Sequence, residues 1–401
     1  MEHHRHEAGD ASDTSGSFTR LGPEEIRRYS RHLIMPEVGV EGQERLRSAR
    51  VLCVGAGGLG SPLLLYIAAA GVGTIGLVDP DTVDLTNIQR QILYRTADID
   101  RPKTEAAAER IVTLNPHVSV VSHAVRLEVG NAAEIISGYD LVVDGTDNFA
   151  TRYLINDACV LADRPNVYGS IFRFEGQVSV FDARRGPCHR CLFPTPPAPG
   201  SVPSCAEAGV LGVLPGIIGS LQALEVLKLI LGIGDPLIGR LLLFDALSLR
   251  FQELSLPKDP RCPVCGESPS IDSLRAESFE CAVPDSPDSK MSTDTTARDL
   301  TVADLKRLRD AGAPIELIDV REPFEHSIAR IEGARLIPLG SLERQMSGWD
   351  RSLRYVIYCH TGVRSGLATS TMRAAGFGLV HNLLGGIEAW AAQIDPSVPR
   401  Y

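Results

Sequence analysis

Four of the nine cysteines stand in two C-x-x-C pairs, a spacing that suits a bound metal ion. The pairs are Cys188-His189-Arg190-Cys191 and Cys262-Pro263-Val264-Cys265. Four thiolates from two such pairs are typical of a tetrahedral zinc site, in which no coordination position is left open for a substrate. We therefore predict a structural zinc ion, with free thiols or disulfide bonds as the alternatives.

Cys359 lies where an apolar stretch, residues 355–358, runs into the segment Cys359-His360-Thr361-Gly362-Val363-Arg364-Ser365. We predict a buried strand, a short loop and a helix over residues 366–375. In such a loop successive backbone amides converge on the sulfur, and Arg364 adds a positive charge. Both features favour a thiolate and could hold a terminal sulfane sulfur or an oxyanion. The alternative, an inert buried cysteine, fits these features poorly.

Cys205 follows a proline-rich loop, residues 195–203, and precedes an apolar helical pattern. A helix N-terminus lowers the pKa of a thiol, so Cys205 is a candidate nucleophile. A part-buried structural cysteine is the alternative. Cys53 and Cys159 lie in apolar strand and helix patterns and are interpreted as packing residues, and Cys281 is assigned no role.

A glycine-rich turn, Gly55-Ala56-Gly57-Gly58-Leu59-Gly60, follows the apolar run of residues 51–54 and precedes a helical pattern. Such glycines let the backbone approach a phosphate, which the amides and the dipole at the helix start then bind. A second strand, residues 74–79, ends in Asp79, which is placed to bind a ribose hydroxyl. Together these features predict a nucleotide site, with close packing of the glycines as the alternative.

Polar side chains follow these strands, where ligands bind in open α/β sheets. The segment 81–91 carries Asn87, Arg90 and Gln91. Lys103 stands at the start of a helix predicted over 104–114, a position that the helix dipole disfavours, so we infer that Lys103 faces an anion. Asp147 follows the strand of residues 141–144 and could bind a phosphate-bound Mg²⁺ or take part in the chemistry, with a helix N-cap as its alternative role.

Composition excludes several classes of protein. The 401 residues suffice for two or three domains, and 44% hydrophobic with 22% charged residues is ordinary for a globular protein. A net charge of −10 argues against a nucleic-acid or anionic-membrane binder. The apolar run 210–231 is interrupted by Pro215, Gln222, Glu225 and Lys228, which favours a buried core or interface helix over a membrane span. The cysteine spacing suits a reducing compartment, and we find no signal-peptide pattern, so we predict a cytoplasmic protein.

Shifts in composition divide the chain into four segments. Residues 1–20 are charged and contain His3, His4 and His6, which predicts a disordered tail. A first domain spans residues 21–267, and residues 268–297, rich in Ser, Pro, Asp and Glu, predict a flexible linker. A second domain spans residues 298–401, with a helix predicted over 300–308 and a strand over 316–320.

The motifs of the first domain together resemble the ubiquitin-activating superfamily, and within it the adenylyltransferases that serve molybdopterin synthase and the thiamin pathway. The motifs are Arg31, the glycine-rich turn, Asp79, Asn87-x-x-Arg90-Gln91, Lys103 and Asp144-Gly-Thr-Asp147-Asn. The resemblance implies an α/β fold with a doubly wound, Rossmann-like sheet that binds ATP and Mg²⁺. Arg90 and Lys103 would contact the polyphosphate and Asp147 would hold Mg²⁺. Arg31 would act on the ATP of the neighbouring subunit of a homodimer.

The second domain resembles a single-domain rhodanese, an α/β fold in which Cys359 would carry a persulfide. The resemblance rests on the Cys359 loop and on the segments Asp319-Val-Arg321-Glu-Pro-Phe-Glu-His, Ile331-Glu-Gly-Ala and Leu384-Gly-Gly-Ile-Glu-Ala-Trp390. It implies that Asp319 and Arg321 brace the structure. A phosphatase loop, C-x₅-R, would place arginine at position 365, where this chain has Ser365.

The two resemblances together point to the fused adenylyltransferase/sulfurtransferase proteins. They imply adenylation of the C-terminal glycine of a small ubiquitin-like sulfur carrier, followed by transfer of sulfur from Cys359 to form a thiocarboxylate, with Cys205 as a relay or reductive partner. The product could serve molybdenum-cofactor, cysteine, thiamin or tRNA-thiolation chemistry. The sulfur donor, thiosulfate or a cysteine desulfurase, stays open. The alternatives are a nucleotide-binding scaffold with a non-catalytic rhodanese docking module, and an NAD-dependent oxidoreductase.

Overall fold

The computed structural model of the chain describes residues 21–197, 209–275 and 299–401. The described residues form two compact units, the first ending at 275 and the second beginning at 299, and each contains its own sheet. The predicted N-terminal tail, Cys205, and most of the predicted linker with Cys281 lie outside the described residues.

The first unit is built on an eight-stranded sheet. Its strands are β1 (Arg50–Val54), β2 (Thr74–Val78), β3 (Ser119–His123), β4 (Leu141–Asp144), β5 (Asn166–Phe172), β6 (Glu175–Phe181), β7 (Arg240–Asp245) and β8 (Arg250–Ser255). They lie in the order β3-β2-β1-β4-β5-β6-β7-β8. The first five in this order are parallel, and the order reverses between β1 and β4, which makes this part of the sheet doubly wound as predicted. The antiparallel extension from β5 to β8 was not predicted.

Helices cover both faces of this sheet. They are α1 (Pro23–Arg28), α2 (Ser30–Leu33), α3 (Gly39–Ser48), α4 (Gly60–Ala70), α5 (Lys103–Leu114), α6 (Val129–Ser137), α7 (Phe149–Leu161), α8 (His189–Leu192) and α9 (Val213–Leu231). Apolar side chains of α4, α5 and α9 share one core with β1 and β2, and those of α6 and α7 share a second core with β4. Cys53 and Cys159 are buried in these two cores, and burial raises the pKa of both thiols, which agrees with their interpretation as packing residues.

Within the described ranges, α9 is the one helix that is long and apolar enough to cross a membrane, judged by length and composition. Here α9 packs against α4, β5 and β6, as the predicted core helix should. Its polar residues make specific bonds: Gln222 Nε2 donates to the carbonyl oxygen of Asp144 at 2.8 Å, and Glu225 Oε2 accepts from the amide of Leu237 at 2.8 Å. The Gln222 amide nitrogen and the Glu225 carboxylate are therefore bonded inside the first unit, whereas Gln222 Oε1 is buried without a hydrogen-bond partner among the described residues.

The second unit has a four-stranded parallel sheet. Its strands are β9 (Ile315–Asp319), β10 (Arg335–Leu336), β11 (Arg354–Tyr358) and β12 (Val380–Asn382), in the order β10-β9-β11-β12. Its helices are α10 (Val302–Asp310), α11 (Pro323–Ile328), α12 (Leu342–Met346), α13 (Val363–Ala374) and α14 (Gly386–Gln393). One apolar cluster lies on each face of this sheet.

One predicted boundary in this unit was wrong. The helix expected over residues 366–375 begins at Val363, because Gly362 is its N-cap and adopts a φ of 103°, which reverses the chain there. Arg364 and Ser365 therefore belong to the first turn of α13 and not to the loop.

Candidate active sites

The first candidate site is a cleft at the carboxyl ends of β1, β2 and β4, where the strand order reverses. Its volume is about 340 Å³. Eight residues predicted from the sequence line it, namely Gly55, Gly57, Gly58, Asp79, Arg90, Gln91, Lys103 and Asp147. Because β1 lies between β2 and β4, the polar segments that follow these strands meet at one edge of the sheet.

The glycines of the turn divide into two groups. Gly55 adopts a φ of 92°, and a Cβ there would lie 2.8 Å from the carbonyl oxygen of Gly145. A Cβ at Gly60, which begins α4, would lie 2.3 Å from the carbonyl oxygen of Gly55. Close packing thus requires glycine at these two positions, although Gly55 also lines the cleft. Gly57 and Gly58 line the cleft as well, and a Cβ would lie 3.7 Å from Gln91 Nε2 at Gly57 and 3.2 Å from Pro215 Cβ at Gly58.

Asp79 is buried at the end of β2, with both carboxylate oxygens engaged. Oδ2 accepts from the amide of Ala56 at 2.8 Å, and Oδ1 accepts from the amide of Asp81 at 3.0 Å. Burial raises the pKa of Asp79, while nearby Lys103 and these two amides act in the opposite direction. The carboxylate is therefore held rigidly at the cleft edge by the turn it faces.

Lys103 is buried at the first position of α5, and its ammonium faces anions, as we inferred. Nζ lies 2.9 Å from Asp81 Oδ2 and 3.9 Å from Asp79 Oδ1. The Asp81 side chain is 61% exposed, so this partner lies at the solvent side of the cleft. An incoming anion can compete with Asp81 for the ammonium.

Three predicted residues in the segment between β2 and α5 have different surroundings. The Arg90 guanidinium lines the cleft and donates to the carbonyl oxygen of Thr86 at 3.0 Å. Gln91 is buried, and its Oε1 has no hydrogen-bond partner in the described part of the chain. Asn87 does not line the cleft, and its Oδ1 accepts from the amide of Asp84 at 3.3 Å in a short 3₁₀ turn, Leu85–Asn87. The geometry gives Asn87 a role in the turn.

Asp147 is exposed and lines the cleft just beyond β4. The alternative role for Asp147, the N-cap of the next helix, is wrong. Asn148 is the N-cap of α7, and its side chain accepts from the amide of Thr151 at 2.9 Å. The Asp147 carboxylate is consequently available to a cation or a ligand in the cleft.

Two arginines of the cleft were missed in the sequence. Arg126 lies in the loop after β3, and Arg152 is a buried residue of α7. Arg152 donates to Ser170 Oγ and to the carbonyl oxygen of Thr146, both at 2.9 Å, and its Nε lies 4.0 Å from Asp144 Oδ2. The sequence pattern of α7 does not predict these contacts, because Ser170, Thr146 and Asp144 all lie outside α7.

Of the residues that were predicted for the nucleotide site and that the structure describes, Gly60, Asn87 and Arg31 are not part of the cleft lining. Arg31 is exposed on α2 and is not part of the cleft lining, so its action on a neighbouring subunit stays a prediction. Cys205 lies outside the described residues.

The four cysteines of the C-x-x-C pairs converge, as predicted. Their Sγ atoms all lie within 4.8 Å of one another, with Cys188 and Cys262 separated by 3.5 Å and Cys191 and Cys265 by 3.4 Å. Sulfurs at the corners of a tetrahedron about 2.3 Å from a central zinc are about 3.8 Å apart, so the cluster fits that ion. Two of the four cysteines, Cys188 and Cys262, are buried, which agrees with a closed structural site.

The second candidate site is the loop that follows β11. Cys359 is 1% exposed, and its Sγ accepts from the amide of Gly362 at 3.1 Å. Ser365 Oγ donates to the same sulfur at 3.4 Å. The N-terminal turn of α13 thus directs hydrogen-bond donors at the sulfur, as the loop pattern predicted.

The Arg364 guanidinium is bound to a buried carboxylate, which neutralises the positive charge that the loop pattern assigned to the Cys359 sulfur. Its two terminal nitrogens each lie 2.7 Å from an oxygen of Glu325, which is buried in α11. Burial raises the pKa of Glu325, but its bonds to Arg364 and to the amide of Glu322 outweigh this, so the pKa lies below its usual value. No sequence pattern indicated Glu325 as the partner of Arg364, because the two residues are 39 positions apart.

Asp319 and Arg321 form a fully buried ion pair behind the loop. Arg321 Nε and Nη2 donate to the two oxygens of Asp319 at 2.9 and 2.6 Å. Asp319 Oδ2 also accepts from His326 Nδ1 at 2.8 Å and from Tyr358 Oη at 3.0 Å. This geometry agrees with the bracing role that the resemblance implied.

Comparison with known proteins supports both resemblances. Residues 29–264 match the ThiF family, and residues 301–393 match the Rhodanese-like domain. A protein of Mycobacterium tuberculosis named "Probable adenylyltransferase/sulfurtransferase MoeZ" is 47% identical over 387 residues, which cover 95% of this chain and 96% of that protein. The "Sulfur carrier protein adenylyltransferase" of Thermus thermophilus is 56% identical over 256 residues, which cover 63% of this chain and 94% of that protein.

A solved structure shares the fold of the first unit. The crystal structure of E. coli MccB with MccA-N7isoASN has a TM-score of 0.55 at 22% identity, and the match covers 60% of this chain and 74% of that chain. Taken with the two family matches and a relative 47% identical along nearly its whole length, these findings confirm the family resemblance. The chain belongs to the ThiF family and is an adenylyltransferase and sulfurtransferase that carries a rhodanese-like domain.

Proposed function

We propose that the chain makes a protein thiocarboxylate in two steps, one in each unit. The observation that carries this proposal is the presence, in one chain, of a cleft lined by the buried Lys103 and of a loop, residues 359–362, whose Gly362 amide donates to Cys359 Sγ. We call residues 359–362 the sulfur-binding loop. The substrate is the C-terminal glycine of a small ubiquitin-like sulfur carrier that ends in Gly-Gly. The thiocarboxylate made on that glycine is the form in which the carrier delivers sulfur, with molybdenum-cofactor synthesis as the expected use.

The first step is adenylation of the carrier in the cleft. A carboxylate oxygen of the glycine attacks the α-phosphorus of ATP, and pyrophosphate leaves, which gives an acyl-adenylate. Lys103 and Arg90 would contact the polyphosphate, Asp79 would bind the ribose, and Asp147 would hold Mg²⁺. Cations beside the triphosphate stabilise the negative charge that shifts to pyrophosphate as the bond breaks.

Several features of the cleft support these assignments. The ammonium of Lys103 already meets carboxylates at the cleft edge, so it is placed to exchange one of them for a phosphate. Asp147 lines the cleft, and the cap of α7 is supplied by another residue. Gly57 and Gly58 expose backbone where a phosphate would approach.

The second step is sulfur transfer from Cys359. The terminal sulfur of a Cys359 persulfide attacks the acyl carbon, and AMP leaves, which joins carrier and Cys359 through an acyl disulfide. A second thiol, for which we propose Cys205, then attacks the Cys359 sulfur. The thiocarboxylate leaves with the electron pair of the broken S–S bond, and an external dithiol reduces the resulting Cys359–Cys205 disulfide.

The remaining assignments concern structure and location. Cys188, Cys191, Cys262 and Cys265 would hold one structural zinc ion in each subunit. Arg31, exposed on α2, would reach the ATP of the partner in a homodimer. The sulfane donor would be thiosulfate or a cysteine desulfurase, and we expect the protein in the cytoplasm, where thiols stay reduced.

Intact mass spectrometry of the carrier tests the proposal. Purified full-length chain is incubated with MgATP, a Gly-Gly-ending carrier, a sulfane donor and a dithiol. A gain of about 16 Da on the carrier, from replacement of one oxygen by sulfur, is expected with the wild type and should be absent with Cys359→Ala. A single turnover without the dithiol separates a relay from a spectator: with Cys205→Ala, a relay would leave the carrier joined to Cys359, whereas a spectator would leave the mass gain intact.

The outcomes also distinguish the proposed enzyme from the scaffold alternative. An adenylated carrier without sulfur gain would retain the first step and leave the rhodanese-like domain as a docking module. ATP that binds without cleavage for every carrier tried would make the chain a nucleotide-binding scaffold and contradict the proposal.

A further inference from the structure

We propose that Tyr401 is a positioning residue for sulfur transfer at Cys359. The rings of Tyr401 and His360 stack with their centroids 4.6 Å apart and their planes 3° from parallel. His360 directly follows Cys359 in the sulfur-binding loop. The inference rests on the proposed function of Cys359 as the persulfide carrier.

The backbone carbonyl groups of Cys359 and His360 accept hydrogen bonds from amides of α14. The amide of Ile387 donates to the carbonyl oxygen of Cys359 at 3.0 Å, and the amide of Glu388 donates to that of His360 at 3.1 Å. The His360 side chain has two further contacts, since its Nε2 lies 3.6 Å from Glu388 Oε2 and its ring stacks on Tyr401. Of these two, the stacked Tyr401 ring is the one that sets the plane of the His360 ring, next to the turn whose Gly362 amide donates to the sulfur.

Tyr401 also connects His360 with the far side of the loop. Its hydroxyl accepts from Arg321 Nη1 and lies 3.4 Å from Glu325 Oε1. Glu325 binds both terminal nitrogens of Arg364, in the first turn of α13. Burial raises the pKa of Tyr401 to about 12, so at neutral pH the hydroxyl keeps the proton that it donates to Glu325.

The Tyr401 ring therefore contacts the residue after Cys359 directly. Its hydroxyl reaches the other end of the segment through Glu325, the carboxylate that binds Arg364. Loss of the ring would release His360 and let the loop leave the geometry in which the Gly362 amide faces the sulfur. The chemical step then slows, while the binding of a small sulfane donor changes little.

Thiocyanate formation by the full-length chain tests this inference, with thiosulfate as donor and cyanide as acceptor. In this reaction the Cys359 thiolate takes the sulfane sulfur and sulfite leaves, and cyanide then attacks the persulfide sulfur and the thiolate leaves. Tyr401→Ala is expected to lower kcat about tenfold with KM for thiosulfate within about twofold of the wild type. Tyr401→Phe keeps the ring and should retain kcat within about threefold.

Ser397→Ala is the matched control, because it changes the same C-terminal segment away from the stack. Ser397 is exposed and its hydroxyl donates to Asp395 Oδ1, so kcat should stay within about twofold of the wild type. His360→Ala breaks the stack from the other side and tests the inference even where Tyr401→Ala is unstable. In a double-mutant cycle the two losses should be strongly non-additive.

The results that would overturn this inference differ from those that would overturn the proposed function. A Tyr401→Ala or His360→Ala enzyme with wild-type kcat, a Tyr401→Phe enzyme as slow as Tyr401→Ala, or additive losses would each overturn the inference. A wild-type chain that forms no thiocyanate and no persulfide on Cys359 would instead overturn the proposed function.

Discussion

Lys103 is a buried cation at the first position of a helix, where the helix dipole alone would disfavour it. Its two carboxylate neighbours, Asp79 and Asp81, explain how the structure tolerates it. Because Asp81 is largely exposed and Asp79 is buried, the two carboxylates are not equivalent: one can move away from the ammonium and the other cannot. This asymmetry suits a lysine that receives a phosphate.

We expect Lys103→Ala to lower ATP–pyrophosphate exchange by about a hundredfold, since removal of a preorganised charge-stabilising donor costs about this much. Exchange of radiolabelled pyrophosphate into ATP, with the carrier present, measures the adenylation step. Lys306→Ala is the control, because Lys306 is an exposed lysine of the second unit that pairs with Asp310 in α10. Exchange within twofold of the wild type for Lys103→Ala would contradict the role of this lysine.

In the second unit, Asp319 is a buried charged residue, as Lys103 is in the first. Burial would raise its pKa, but hydrogen bonds from Arg321 and His326 outweigh this, so the pKa of Asp319 lies below its usual value. A carboxyl whose pKa is lower in the folded than in the unfolded state adds stability above its unfolded pKa of about 3.9, and this contribution is lost as the pH falls through the folded pKa.

We expect Asp319→Asn to lower the free energy of unfolding of the second unit by about 3–5 kcal/mol, because Arg321 would stay buried without its counter-ion. Both tryptophans, Trp349 and Trp390, lie in this unit, so urea unfolding followed by tryptophan fluorescence reports on it. The stability of the wild type should fall below about pH 4, and that of the variant should fall less. Equal pH dependence of the two would show that Asp319 is not the titrating group.

At the scale of elements, the turn between β1 and α4 is fixed by contact with a second turn. Gly55 faces the loop after β4, and its positive φ and the nearby carbonyl of Gly145 both exclude a side chain. The nucleotide cleft therefore depends on two strand-end loops that pack without side chains between them. A similar constraint acts at Gly362, whose φ of 103° starts α13 immediately after the Cys359 loop.

We expect Gly55→Ala to destabilise the first unit by more than about 1 kcal/mol, because the new side chain is both strained at positive φ and too close to Gly145. Differential scanning calorimetry and ATP binding should both report the loss. Gly130→Ala is the matched control: a Cβ at this position of α6 meets nothing within 4 Å, so the change should be neutral or gain up to about 1 kcal/mol. A Gly55→Ala protein as stable as the control would refute the close-packing argument.

At the scale of the whole molecule, the chain divides into two units with separate sheets and separate cores. The four-cysteine cluster belongs to the first unit, where it joins the residues that follow β6 to those that follow β8. The sulfur-binding loop belongs entirely to the second unit. The cleft and the Cys359 loop are therefore built on separate sheets, so the fold of one can be perturbed without that of the other.

We expect a chelator, or Cys262→Ser, to release one zinc ion per chain and to lower the melting temperature of the first unit, because structural zinc contributes to folding directly. Metal analysis and calorimetry measure these effects. The tryptophan-monitored transition and Cys359-dependent thiocyanate formation should stay unchanged, since they report the second unit. Zinc loss without a change in melting temperature would argue against a structural ion.

The sequence alone determined the features that depend on neighbours along the chain. The apolar strands, the glycine-rich turn, the C-x-x-C pairs and the Cys359 loop are each contained in a short segment, and each was found where it was expected. Tertiary structure decided the partners that come from distant segments: Asp81 for Lys103, Glu325 for Arg364, Ser170 for Arg152 and His360 for Tyr401. Local patterns fix which backbone conformation a segment prefers, whereas long polar side chains pair with whatever the packing of sheet and helices brings within about 3 Å.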